Sequence, residues 1–269
     1  MIDRSFRAEH LVDPDGGDDD LPPAIPAATL VIFREAADGG PPELLMVERA
    51  KAMAFAAGAM VFPGGRVDPG DHLLAEVIGA GDDGAARIAA IRETIEEAGI
   101  PIGLSPPPAP DALARMRAAL HAGTSFGEVL ADAGVRLDLD QLVPFARWRP
   151  AHRNMRIFDT LFFLAGLPAD APCASVDATE NVRLVWASAR SVLDDADAGR
   201  LAVIFPTRRN LERLAQFDSF EDAAAHARAT PVRVVTPWHE TRDGEPHLCI
   251  PDDLGYPVTS ERLSDAMRG

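Results

Sequence analysis

The stretch Arg92-Glu93-Thr94-Ile95-Glu96-Glu97-Ala98-Gly99-Ile100 places acids where helix physics disfavours them. From Ala85 to Ala98 the spacing of Ile88, Ile91 and Ile95 predicts a helix with one apolar face, and Gly99 stands where a left-handed cap is expected. Carboxylates in a last turn oppose the macrodipole by roughly 0.3–1 kcal/mol each, and Glu93 and Glu97 at i,i+4 add a few tenths of like-charge repulsion. A positive group is expected to offset that cost. Residues three and four apart share a helix face, so Glu93, Glu96 and Glu97 converge on an oxygen-rich patch suited to a hard divalent cation such as Mg2+ or Mn2+. A solvated acidic helix end would carry the same residues.

Upstream, Phe62-Pro63-Gly64-Gly65 follows an apolar run. Two adjacent glycines let the backbone turn sharply and offer a bare carbonyl to a metal or a phosphate. A glycine turn feeding an acidic helix, with Arg92 beside the first acid, resembles the box of the Nudix hydrolase family. That pattern runs Gly, five residues, Glu, seven residues, Arg-Glu-apolar-x-Glu-Glu-x-Gly-apolar. Here Asp71 stands where the box has Glu, and Arg92 follows 21 residues later where the pattern has eight. Thr94 replaces an apolar residue. The excess contains Gly79, Gly81, Asp82, Asp83 and Gly84, and reads as a loop extruded between turn and helix. Loop closure costs grow only logarithmically with length, so the two halves can still pack together.

The resemblance implies an α/β fold, a mixed β-sheet sandwiched between α-helices with extra helical insertions. It also implies a pyrophosphohydrolase using Mg2+ or Mn2+, held by Glu93, Glu96, Glu97 and the Gly65 carbonyl, with Arg92 orienting the acids. In the relatives a Glu ahead of a strand and Trp often approaches the metal from the opposite side. Glu180, before the strand ending in Trp186, matches that position, so Glu97 or Glu180 is the candidate general base.

Just ahead of the box, Leu44, Leu45, Arg49, Ala50, Gly58 and Phe62 to Gly65 resemble the signature of the coenzyme A diphosphatase branch, although Ala54 stands where that signature has a second arginine. Arg147, Arg149, His152, Arg153 and Arg156 fall within ten residues of a strongly acidic chain. The contrast favours a loop facing an anion, arginine forks being suited to diphosphate oxygens, as against a solvated basic turn. This block, continuing as Phe158-Asp159-Thr160-Leu161-Phe162-Phe163, is similar to vertebrate peroxisomal coenzyme A diphosphatases with a loop-expanded box. Arg49, Gly64, Arg147, Arg153 and Arg156 are the candidate substrate contacts. Coenzyme A or an acyl-coenzyme A is the first substrate expected. ADP-ribose, a dinucleotide or a nucleotide sugar stays open, as does a domain that binds nucleotides without cleaving them.

A formal charge of −16 argues against broad binding to nucleic acid or anionic membranes, though a metal and a local arginine cluster can still admit a small nucleotide-diphosphate substrate. Cys173 and Cys249 are too few for a disulfide scaffold, and neither a leader nor a membrane span is visible, so a cytoplasmic protein is expected. Residues 1–24, rich in Asp, Gly and Pro, read as a flexible acidic tail, and 25–269 as one elaborated domain. Strands are expected at Ala27–Glu35 and Leu44–Arg49, paired around a Gly/Pro turn, and again at Val143–Phe145 and Ile157–Ala165. Within a helical insertion at about 106–135, helices over 111–122 and 125–133 would cover the cleft, form a homodimer contact or pack as ordinary core. Ser188–Ala196, a helix opened by Pro206-Thr207, and Phe220–Arg228 read as helices. Val232–Val235 and His247–Ile250 are expected to pair as a closing hairpin across Asp243-Gly244, and His239 and His247 to be structural.

Overall fold

The computed structural model describes residues 22–49, 58–150, 156–168, 171–176 and 181–266. Its strands are β1 (Ile25–Arg34), β2 (Glu43–Arg49), β3 (Met60–Val61), β4 (Gly64–Arg66), β5 (Leu104–Ser105), β6 (Arg136–Leu137), β7 (Val143–Trp148), β8 (Phe158–Gly166), β9 (Asn181–Ser188), β10 (Val234–Val235), β11 (Trp238–Arg242), β12 (Glu245–Cys249) and β13 (Ser260–Arg262). Its helices are α1 (Pro69–Ile78), α2 (Gly84–Ala98), α3 (Pro110–His121), α4 (Phe126–Ala133), α5 (Ala189–Asp197), α6 (Phe205–Leu214), α7 (Phe220–Ala229) and α8 (Leu263–Ala266). None of the helices among the described residues is long and apolar enough to cross a membrane.

The main sheet runs β10-β7-β8-β1-β2-β3, with β4 added beside β1 and β9 beside β2. β1 lies parallel to β8 and antiparallel to β2, so the sheet is mixed. Side chains two apart in a strand share a face. Along β1, Ala28, Leu30 and Ile32 join Ile88, Ile91 and Ile95 of α2, while Val31 and Phe33 join Leu211 and Leu214 of α6 and Ala223 of α7. The strand is buried on both faces, and helical layers cover both sides. At about 25 cal/mol per Å2 of buried apolar surface, these two clusters supply the main stabilisation. α3 and α4 bury Leu113, Met116, Leu120, Phe126 and Val129 in the α2-side cluster, so these side chains pack as core.

One edge of β1 is divided. Phe33 and Arg34 pair with β2, whereas Ala27, Ala28 and Thr29 pair with β4, the strand formed by Gly64, Gly65 and Arg66. The glycine turn is thereby stitched into the sheet directly beneath α2.

Two expectations are corrected. The insertion after Gly65 is not simply a loop, because it contains α1, opened by Asp68 and Pro69 and closed by Gly79 at φ 65°. The closing hairpin pairs β11 with β12, not Val232–Val235 with His247–Ile250, and Asp243 and Gly244 form its turn at φ 52° and 80°. Val234 and Val235 instead lie parallel to Arg147 and Trp148. They had an unpaired sheet edge to complete.

Candidate active site

α2 ends as its sequence requires, with Gly99 at φ 66° donating its amide to the Ile95 carbonyl. Ile88, Ile91 and Ile95 face the sheet, while Glu93 and Glu97 meet the glycine strand and Glu96 meets Arg92. The Gly64 amide donates to Glu97 Oε2 at 3.0 Å. At Gly65 a Cβ would stand 2.4 Å from the Glu93 carboxylate, and at Gly64 it would stand 2.3 Å from the Ala28 carbonyl oxygen. Both glycines are therefore required by close approach, one by a carboxylate and the other by backbone.

Arg92 ties the site together. Its Nε and Nη2 donate to the two carboxylate oxygens of Asp71 at 3.1 and 2.9 Å, and Nη2 also donates to the Arg66 carbonyl at 2.9 Å. Its Nη1 donates to Glu93 at 2.9 Å and to Glu96 at 3.1 Å. Asp71 is 1% exposed and accepts a further bond from the Asp68 amide. Position 71, displaced from Arg92 by the expanded insertion, thus returns to it in space. Burial works against the Arg92 charge, yet its contacts with Asp71, Glu93 and Glu96 hold its pKa above the usual arginine range. The Glu93 carboxyl is pushed up to about 8, chiefly by burial; Arg92 opposes the shift, and the charges of Glu97 and Glu96 add to it.

Glu93, largely enclosed against Arg92, lies with buried Glu97 beside a bare glycine backbone, and carboxylate and carbonyl oxygens are the hard donors that Mg2+ and Mn2+ take. Among the described residues, no three acidic, histidine or cysteine side chains gather closely enough to enclose a cation unaided. Glu93 and Glu96 are drawn onto Arg92, so a cation here would need backbone oxygen such as the Gly65 carbonyl and a turn of these carboxylates away from the guanidinium.

The remaining candidates are dispersed. Arg49 is half-buried at the end of β2, and its Nε has no hydrogen-bond partner among the described residues. Arg147 is clasped by Asp159 through two bonds of 2.7 Å, which reduces its availability for a substrate. Arg156 is exposed. Arg153 and Glu180 lie outside the described residues, as do Ala54, His152 and most of the N-terminal tail.

The sequence reading missed the groups that close the end of α2. Arg117 and His121 of α3 reach the Glu96 carbonyl, and Arg117 also reaches that of Glu97. Acids in a last turn signalled that such a cation must exist. Nothing in the linear pattern said which one.

The fold and this site define an α/β enzyme scaffold with a carboxylate-bearing helix keyed to a glycine strand. A NUDIX hydrolase from Alicyclobacillus acidocaldarius shares 30% sequence identity and superposes with a TM-score of 0.65, over 76% of this chain and 96% of that one. A Caenorhabditis elegans protein named "Putative nudix hydrolase 7" is 29% identical over 228 residues, 84% of this chain and 73% of its own. No protein-family model matches the chain. The chain belongs to the Nudix hydrolase family.

Proposed function

We propose that the protein hydrolyses a phosphoanhydride in a nucleoside diphosphate linked to another moiety, with coenzyme A or an acyl-coenzyme A as the first substrate and a cytoplasmic site of action. The observation that carries this reading is the buried Arg92–Asp71 pair, which joins the two halves of the expanded box, with Glu93 and Glu97 beside Gly65 and Gly64 and Glu96 held by Arg92. These acids and the Gly65 carbonyl would hold Mg2+ or Mn2+. When bound, such an ion supplies positive charge against the diphosphate and makes a neighbouring water more acidic.

The chain's own residues do the rest. Arg92 orients the acids, as partners behind a ligand generally do. Glu97, held through Oε2 by the Gly64 amide, is one candidate to take the proton of the attacking water. Glu180 is the other candidate for that proton. Arg49, whose buried Nε has no partner among the described residues, is the best supported anion contact; Arg153 and Arg156 are further candidates, and the Gly64 backbone can approach the diphosphate closely.

The alternative substrates ADP-ribose, a dinucleotide or a nucleotide sugar are favoured by Ala54, which removes one arginine from the coenzyme A signature, and by the capture of Arg147 by Asp159. A nucleotide panel assayed with Mg2+ and with Mn2+ decides among them. Release of 3′,5′-ADP and phosphopantetheine identifies coenzyme A, AMP as the nucleotide product points to the alternatives, and binding without any product overturns the hydrolase reading.

A further inference from the structure

The last four carbonyls of a helix have no partner within it, and in α2 each finds one elsewhere. Ile95 accepts from the Gly99 amide, Glu96 from Arg117 Nε at 2.8 Å, Glu97 from Arg117 Nη2 at 3.0 Å, and Ala98 from the Ser175 amide at 2.9 Å. His121 Nε2 stands 3.2 Å from the Glu96 carbonyl as a second contact. Arg117 also donates to the hydroxyl and the carbonyl of Ser175, both at 2.8 Å. A single guanidinium therefore bridges α3, the end of α2 and the segment at Ser175. A Cβ on Gly99 would meet Arg117 Nη1 at 3.3 Å and Ser175 Oγ at 3.4 Å, so the glycine cap also leaves room for this fork.

The two α2 carbonyls that Arg117 holds belong to Glu96 and Glu97, whose side chains reach Arg92 and Gly64. We infer that Arg117 is a positioning residue for the box acids. It fixes the backbone from which Glu96 and Glu97 project, and it places a cation at the helix pole where two acids are otherwise unfavourable. Lysine is a point charge and cannot reproduce a planar fork that contacts two carbonyls at once.

This inference rests on the metal-holding reading above, and a direct binding measurement separates the two. Mn2+ binding to the full chain, followed by electron paramagnetic resonance without substrate, is compared for wild type, Arg117→Lys and Arg117→Ala, with thermal melts recorded alongside. Arg117→Lys keeps the charge, so a loss of Mn2+ affinity in that variant reports geometry; a fall of about tenfold is expected, the low end of the effect of partners behind a ligand. A purely structural role would lower the melting temperature and leave Mn2+ affinity unchanged. A folded Arg117→Lys protein within twofold of wild type overturns the inference while leaving the metal reading intact. Should wild type bind no Mn2+, both fall. Arg117→Ala adds the charge term: weaker binding in the folded variant supports positioning, and tighter binding shows the charge to dominate and overturns it.

Discussion

At Arg92 one guanidinium meets Asp71, Glu93, Glu96 and the Arg66 carbonyl, which makes it the common partner of nearly every polar group in the site. Removing one member of a buried ion pair leaves the other charge uncompensated, at a cost of roughly 3–5 kcal/mol. Asp71→Asn is expected toward the low end of that range, about 3 kcal/mol, because Glu93 and Glu96 remain. Urea unfolding would show it as a lowered midpoint at unchanged slope, and a wild-type midpoint would show that Asp71 does not hold the halves together. Glu97→Gln keeps the shape of the side chain, and an amide oxygen can still accept from Gly64. With the fold intact by circular dichroism, kcat is expected to fall on the order of 100-fold or more, as for loss of a general base. Wild-type turnover would remove Glu97 from the mechanism.

Among the elements, α4 shows what local signals can specify. Ser125 and Glu128 form a reciprocal cap in which the Ser125 hydroxyl accepts from the Glu128 amide and the Glu128 carboxylate accepts from the Ser125 amide. Ser125→Ala is expected to cost about 1 kcal/mol, read by chemical denaturation, and a neutral result would mean that packing of Phe126, Val129 and Leu130 alone sustains the helix. α1 shows the opposite case. Its start and stop signals were present in Asp68, Pro69 and Gly79, but Leu73, Val77 and Ile78 face outward at 64%, 82% and 46% exposure, and only Asp71 and Ala75 are buried. An apolar pattern that does not point to a core is hard to recognise as amphipathic, so the glycines beyond it dominated and the whole segment read as a loop.

On the scale of the molecule, the C-terminal sheet of β11, β12 and β13 joins the main core through Leu248, Ile250, Leu254 and Tyr256. Tyr256 links distant parts of the chain, its hydroxyl accepting from Trp148 Nε1 at 2.9 Å and donating to Asn210 Oδ1 at 3.1 Å. Burial pushes the tyrosine hydroxyl up to about 12, against the opposing influence of Arg213, so it stays protonated and able to donate. Tyr256→Phe leaves both partners buried without their bond and is expected to cost about 1–3 kcal/mol by urea unfolding. An unchanged midpoint would show that the apolar ring alone docks the C-terminal segment.

The sequence alone specified α2, its Gly99 stop and the buried face of the isoleucines, because a helix converts spacing in the chain into direction in space. It also specified the strands β1, β2, β7 and β8, since alternation and turn signals depend on neighbours a few residues away. Whether Asp71 belonged to the site, which edge Val234 and Val235 would complete, and which arginine would close the helix were decided by the tertiary structure. Each is a contact between residues 20 or more positions apart. Such pairings depend on which surfaces remain unpaired once the sheet and its two helical layers have formed, and no local pattern in the chain encodes that.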